Sequence, residues 1–148
     1  MSIRDETTQV PIATKDSSRR LKRTAVVIEA AVIAVLIWAA AVPLAGVDLR
    51  VTTGGTVQTI GPVQILVMAL LAGAAAWVVL AVAEKVSRRP RRIWFPAAAT
   101  AGVVSLAGPL FSGASMAAML VLLGLHVAVG GILTVGLLAV AGPRQSSQ

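Results

Sequence analysis

Few side chains in this sequence could take part in chemistry, and the most unusual of them is the single histidine, His126. It lies in the stretch LLGLHVAVGG, residues 122–131, where every neighbour is apolar or glycine. An imidazole can carry a proton, make a hydrogen bond, or bind a metal or haem iron. We favour a structural hydrogen bond between helices. The alternatives are a proton-carrying or ligand-binding role and, after that, haem or metal ligation.

The depth of His126 in its apolar segment predicts which way the ring faces. The residue is about ten positions from the start of the segment, or roughly 15 Å along a helix, which is near the middle of a bilayer. A polar ring at that depth should face the other helices and have a partner, because exposure to lipid is costly. The candidate partners are Ser105, Gln64, Thr134 and a backbone carbonyl near Pro109. Among them the turn Gly102–Ser105 of the third helix matches the depth of His126 best.

Two carboxylates are candidates for a role. Glu29 lies inside the first apolar segment, above Lys22 and close to the basic stretch 84–92, so we favour an interfacial carboxylate that reaches toward those cations. The alternative is the coupling carboxylate of a small proton-driven transporter. Asp48 and Arg50 are two residues apart and point the same way in a strand. This spacing predicts a surface ion pair that contributes little to stability.

Gly108, Pro109 and Gly130 are structural candidates. Pro109 lacks an N–H and crowds the preceding turn, so Gly108-Pro109 is predicted to end the third helix. Carbonyls freed there need partners inside a membrane. Gly130 follows His126 by one turn and is predicted to let another helix approach beside the ring.

The sequence contains no pattern typical of an enzyme. It has no cysteine and one histidine, which excludes thiol chemistry and a histidine cluster within one chain. No serine–histidine–acid set or pair of carboxylates at one depth is present. The glycine-containing stretch VTTGGT, residues 51–56, lacks the lysine of a phosphate-binding loop. We expect a protein that is not an enzyme and has no cofactor and no metal.

Composition and hydropathy predict an all-α membrane protein. Of the 148 residues 57% are hydrophobic and 13% charged, more apolar surface than a soluble domain of this size can bury. A helix needs about 20 apolar residues to cross a bilayer. The expected organisation is a disordered cytoplasmic tail over 1–23, a four-helix transmembrane bundle within 24–142 with helices at about 25–44, 62–83, 95–111 and 116–141, and a short cytoplasmic tail over 143–148.

Basic residues predict the orientation of these helices. They concentrate in the N-terminal tail and in the stretch 84–92, which places both termini in the cytoplasm and the protein in the plasma membrane. The alternative of a cleaved export signal, suggested by SRRLKR at residues 18–23, is disfavoured because three more apolar segments follow. We expect no nucleic-acid partner. We favour a role in fixing the topology for the basic residues of the stretch 84–92. The alternative is contact with anionic lipid through Arg88, Arg89, Arg91 and Arg92.

The connection between the first two helices has a different pattern. Apolar Val47, Leu49 and Val51 alternate with polar residues before Gly54-Gly55. Alternation around a Gly-Gly pair predicts a small extracellular β-hairpin, with an irregular loop as the alternative. Stripes of small residues on the helices indicate close packing of the bundle.

Five short motifs occur in a fixed order: GVDLRV at 46–51, AW at 76–77, RRIW at 91–94, SLAGPL at 105–110 and LHVAVG at 125–130. This succession, over roughly Ala25 to Leu138, resembles the uncharacterised family DUF6069, small four-helix membrane proteins of actinobacteria. The resemblance implies an integral membrane protein with no established activity, and it supplies no catalytic residues. The candidate residues that fall on matching positions are Asp48, Ser105, Gly108, Pro109, His126 and Gly130.

These observations favour a small multi-pass plasma-membrane protein that acts as a non-enzymatic structural or accessory subunit. Its partners would be the lipid bilayer and either a second copy of the chain or another membrane protein. The alternative function is a small proton-coupled transporter that uses Glu29 or His126.

Single cysteines test the predicted orientation, because the sequence contains no cysteine of its own. Cysteines introduced at Ser17, Thr53, Ser87 and Ser146 are treated in intact cells with a membrane-impermeant thiol reagent. We expect only the Thr53→Cys variant to react, because the Gly54-Gly55 turn should lie outside. Labelling of Ser87→Cys in sealed cells would contradict the predicted orientation.

Overall fold

The computed structural model describes residues 13–87 and 89–141. Its elements are helix α1 (Ala13–Ala39) with a wider π-helical turn (Ala40–Leu44), strands β1 (Arg50–Thr53) and β2 (Thr56–Thr59), and helices α2 (Pro62–Val86), α3 (Pro90–Phe111) and α4 (Met116–Val140). All four helices are long and apolar enough to cross a membrane. The predicted all-α membrane fold, with a small hairpin between the first two helices, is confirmed.

Two of the helices begin earlier than predicted. Residues 13–23, predicted to belong to a disordered tail, are the first turns of α1. Arginine, lysine and leucine favour helix, so the helix continues beyond the apolar segment that hydropathy detects. Helix α3 begins at Pro90 instead of Phe95, because proline suits the first helical position. Residues 1–12 and 142–148, which include the rest of the predicted tails, lie outside the described residues.

The π-helical turn ends α1 at a proline. Pro43 lies inside the turn and has no N–H to donate to the preceding turn. The N–H of Ala45 donates instead to the carbonyl of Ala40, at 3.0 Å. Gly46 then adopts a φ of +67°, a conformation that glycine reaches without steric cost. The chain thereby leaves the helix and turns toward β1.

Strands β1 and β2 form an antiparallel hairpin across one end of the bundle, here called the hairpin end. Gly54 and Gly55 have φ values of 59° and 81°, as a two-residue type I′ turn requires. Leu49 and Val51 are 1% and 8% exposed and pack among residues of α1, α2 and α4. The N–H of Thr52 donates to the carbonyl of Ser112, at 2.7 Å. A hairpin that would be marginal alone is therefore anchored to the helices.

The opposite end of the bundle, where α1 begins and residues 87–89 connect α2 to α3, is here called the basic end. Helix α4 contacts all three other helices. Helix α1 packs extensively against α2 and α4, whereas α3 packs mainly against α4 and less against α2. The bundle is therefore a close group of three helices, α1, α2 and α4, with α3 attached at one side.

Two valines of α1 set the close approach of that group. A Cβ atom added to Gly73 of α2 would lie 2.5 Å from Cγ1 of Val27, and one added to Gly136 of α4 would lie 2.6 Å from Cγ1 of Val26. Both distances are too short for any side chain. The glycines are thus the sites where α2 and α4 approach α1, as the small-residue pattern of membrane helices requires.

The substitution Gly73→Ala should destabilise the bundle by about 1–3 kcal/mol, because Val27 is stiff in a helix and cannot turn away. Unfolding of the purified protein in mixed micelles, followed by circular dichroism, measures the change. Gly124→Ala is the matched control, since a Cβ atom there meets nothing within 4 Å. The double substitution Val27→Ala/Gly73→Ala should recover most of the loss. Equal stability of Gly73→Ala and Gly124→Ala would contradict the proposed contact.

Candidate functional site: a cleft beside helix α4

A cleft of about 660 Å³ lies between α2 and α3, with α4 as its back wall. Met68 on α2 and Ser105 on α3 line it and are exposed, so the cleft opens sideways between these two helices. Within the described residues no charged side chain lines it. Its walls are mostly alanine, valine, leucine and isoleucine, and its polar side chains are Gln64, Trp94, Ser105, His126 and Thr134.

Trp94 closes the cleft toward the basic end. Its side chain is 2% exposed and packs with Leu80 of α2 and Leu137 of α4. Its indole N–H donates to the backbone carbonyl of Thr134, at 3.2 Å. Because α3 begins at Pro90, one turn earlier than predicted, Trp94 lies one turn inside the helix and is buried in the bundle.

His126 faces the cleft that also contains Gly102 and Ser105. The ring therefore points toward the helices, as its depth predicted. The hydrogen-bond partner differs from every predicted candidate, because Nδ1 lies 2.7 Å from the backbone carbonyl of Leu122, one turn earlier on α4. A carbonyl oxygen only accepts, so Nδ1 carries the hydrogen.

The other ring nitrogen of His126 is available to a ligand. In the neutral ring with hydrogen on Nδ1, Nε2 is a hydrogen-bond acceptor. Nε2 has no hydrogen-bond partner in the part of the chain that the structure describes. It is also not one of the fully buried, unpaired polar atoms there, so a ligand can reach it. Because the ring lines the cleft, Nε2 is an unpaired acceptor there.

Ser105 and Gly130 lie on opposite walls of the cleft. The Ser105 hydroxyl donates to the carbonyl of Gly102 on its own helix, at 2.8 Å. The prediction that Gly130 lets another helix approach was wrong, because a Cβ atom there would meet nothing within 4 Å. The absent side chain instead widens the cleft beside His126.

Gly108 and Pro109 lie outside the cleft lining, at the hairpin end of α3. The helix continues two residues past buried Pro109 and ends at Phe111. The Ser112 hydroxyl donates to the Pro109 carbonyl, at 2.7 Å. Gly108-Pro109 therefore lies inside the helix and does not end it as predicted, and the pair makes no contact with His126 that the structure describes.

Asp48 and Arg50 form the predicted surface ion pair. Their side chains are 61% and 64% exposed and lie 3.1 Å apart, so the pair contributes little to stability. Glu29 is exposed on α1, outside the cleft lining. Within the described residues the Glu29 carboxylate has no ion pair with Lys22 or with the basic stretch, contrary to its predicted interaction.

The buried ion pair at the basic end is Arg23 with Glu84, which the sequence interpretation missed. The guanidinium of Arg23 on α1 donates to the carboxylate of Glu84 on α2, and their side chains are 8% and 22% exposed. The Nε atom of Arg23 is buried without a partner among the described residues. Opposite charges at equal depth on adjacent antiparallel helices are a signal that could have identified the pair.

The four apolar helices and their hairpin define a small multi-pass membrane protein. A family model described as "Family of unknown function (DUF6069)" matches residues 14–143. The chain belongs to this family, which confirms the resemblance of its motifs. No curated protein and no solved structure matches the chain.

Removal of one partner from the Arg23–Glu84 pair should destabilise the bundle. We expect Glu84→Gln to cost about 2 kcal/mol, less than the ~3–5 kcal/mol of a fully buried pair, because the Glu84 side chain is 22% exposed. Unfolding in mixed micelles measures the loss, and Arg23→Met/Glu84→Met should recover much of it. Glu29→Gln, the matched control, should change stability by less than about 0.5 kcal/mol. Similar losses for both single variants would contradict a specific role of Glu84.

Proposed function

We propose that this protein is a non-enzymatic accessory protein of the cell membrane that holds a lipophilic molecule within the bilayer. The observation that carries the proposal is the sideways opening of the cleft between α2 and α3. A molecule dissolved in the bilayer would reach such a cleft without leaving the hydrocarbon. Trp94 and the hairpin close the two ends of the bundle, so the cleft offers no aqueous path across the membrane.

The size and chemistry of the cleft support binding. Its volume of about 660 Å³ lies within the range of sites for small molecules, roughly 300–1,000 Å³. Such sites combine apolar walls with a few polar groups that orient the ligand. His126 and Ser105 provide such groups on two walls.

The hydrogen bonds of the cleft support a binding role over catalysis. A serine nucleophile needs its hydroxyl on a general base, but the Ser105 hydroxyl donates to the carbonyl of Gly102. The N–H of His126 is likewise directed to its own helix. Glu29 lies outside the cleft, so the alternative of a small proton-coupled transporter that uses Glu29 or His126 would depend on His126 alone within the cleft.

The charge distribution supports an orientation with both termini in the cytoplasm. Arg89, Arg91 and Arg92 are exposed at the basic end, on the same side as the start of α1, and Arg88 lies outside the described residues. Positive residues are retained on the cytoplasmic side of membrane proteins. The same residues would attract anionic lipid, at about 1 kcal/mol for each charge near the surface.

Filling the cleft should abolish binding without loss of the fold. Gly130→Leu places a side chain in open space on the back wall, and Gly124→Leu is the matched control on the same helix, exposed and outside the cleft lining. Quenching of Trp94 fluorescence by bromododecane in nanodiscs reports access to the cleft. Both variants carry Trp38→Phe and Trp77→Phe, so that Trp94 is the single tryptophan.

We expect Gly130→Leu to reduce the quenching of Trp94 at least several-fold, and Gly124→Leu to leave it unchanged. Circular dichroism verifies that both variants fold. If bromododecane quenches Trp94 equally in both variants, the proposed binding in the cleft is wrong.

A further inference from the structure

We propose that the molecule held in the cleft is a neutral lipophilic alcohol whose hydroxyl donates a hydrogen bond to Nε2 of His126. This inference rests on the proposed function and adds the chemical class of the ligand. The class follows from which hydrogen-bonding groups of the cleft are occupied, from the absence of charge in its lining, and from the position of His126 along it.

Three of the donors that line the cleft are already occupied. Nδ1 of His126 donates to the Leu122 carbonyl, the Ser105 hydroxyl to the Gly102 carbonyl, and the Trp94 indole to the Thr134 carbonyl. Each of these groups is satisfied within the protein. The amide of Gln64 and the hydroxyl of Thr134 are the other donors of the lining. A ligand that can only accept hydrogen bonds, such as a ketone or an ether, would leave Nε2 of His126 without a partner.

Acceptors remain available at the same place. Nε2 of His126 has no partner among the described residues. The oxygen of Ser105, whose hydrogen is directed at Gly102, keeps lone pairs on the opposite wall. A donor group on the ligand would satisfy them, because a polar atom left unpaired in an apolar site is costly.

The lining also selects for a neutral ligand. No lysine, arginine, aspartate or glutamate lines the described cleft. A carboxylate or phosphate would enter an apolar site without a fixed cation, and an amine without a fixed anion, so both would lose hydration that the cleft cannot replace. A hydroxyl group is the neutral donor whose burial one acceptor can offset.

The position of His126 predicts how such a molecule would lie. His126 is eight residues from Thr134, whose carbonyl binds Trp94, so His126 lies roughly 12 Å from the Trp94 end of the cleft along α4. A hydroxyl bound at His126 would leave the rest of the molecule between alanines and valines, with its far end near Trp94. A linear alcohol of about that length fits this arrangement.

Three brominated probes of equal chain length test the inference: bromododecane, a bromododecanol and a bromododecanoate, each with bromine at the chain end. The reporter protein carries Trp38→Phe and Trp77→Phe, so that Trp94 is quenched by bromine in the cleft. A second protein keeps only Trp77, which does not line the cleft, and measures partition into the surrounding lipid. The quenching of Trp94 divided by the quenching of Trp77 separates binding in the cleft from partition into the lipid.

We expect the alcohol to give a ratio about five-fold higher than the alkane, as one hydrogen bond predicts. His126→Leu should reduce the ratio for the alcohol to that for the alkane and leave the alkane ratio unchanged, which shows that the cleft is intact. His126→Gln should keep much of the preference, because its amide oxygen accepts a hydrogen bond.

The possible failures are distinguishable. If alcohol and alkane give equal ratios, and both quench Trp94 more than Trp77, the inference is wrong and the proposed function stands. A ratio that is highest for the carboxylate would overturn the inference in favour of an anionic ligand. If none of the probes reaches Trp94 more than Trp77, both the inference and the proposed function are wrong.

Discussion

The close contact of α1 with α2 and α4 is the constraint on which the rest of the structure depends. Lipid is as apolar as the helices, so burial of leucine does not by itself hold membrane helices together. Contact of backbones does, and Val26 and Val27 obtain it by packing against Gly136 and Gly73. No comparable glycine contact holds α3, since a Cβ atom at Gly102 or Gly108 would meet nothing within 4 Å. The cleft is the space that this difference leaves.

The polar groups follow a second rule of membrane interiors, which is that hydrogen-bonding groups must be satisfied inside the protein. Backbone carbonyls are the nearest acceptors. Trp38 donates to the carbonyl of Ile60, and His126 and Trp94 likewise use carbonyls of the helices around them. Donors can always be satisfied in this way, whereas helical N–H groups are already occupied and free acceptors have few partners. A side chain with both functions, such as His126, therefore keeps an unpaired acceptor.

Hydropathy and turn chemistry predicted most of the fold from the sequence. The number and order of the helices follow from apolar length, although α1 and α3 begin earlier than it predicts, and the hairpin follows from alternation around Gly54-Gly55. The ion pair of Arg23 was missed because hydropathy detects where a span begins and ignores where the helix begins. The partner of His126 was sought mainly on other helices because depth was the main criterion, although the carbonyl one turn earlier on the same helix is within reach. The role of Gly130 was wrong because a glycine permits close approach but does not supply the neighbouring side chain.

The cleft is held open by contacts at both of its ends. At the basic end Trp94 binds the carbonyl of Thr134, and at the hairpin end the carbonyl of Ser112 accepts from the N–H of Thr52. Helix α3 packs mainly against α4 and less against α2, and the cleft lies between α2 and α3. A ligand that enters this space need not separate packed helices, and the ordering cost of binding falls accordingly. The unpaired acceptor of His126 thus faces a space that opens toward the bilayer.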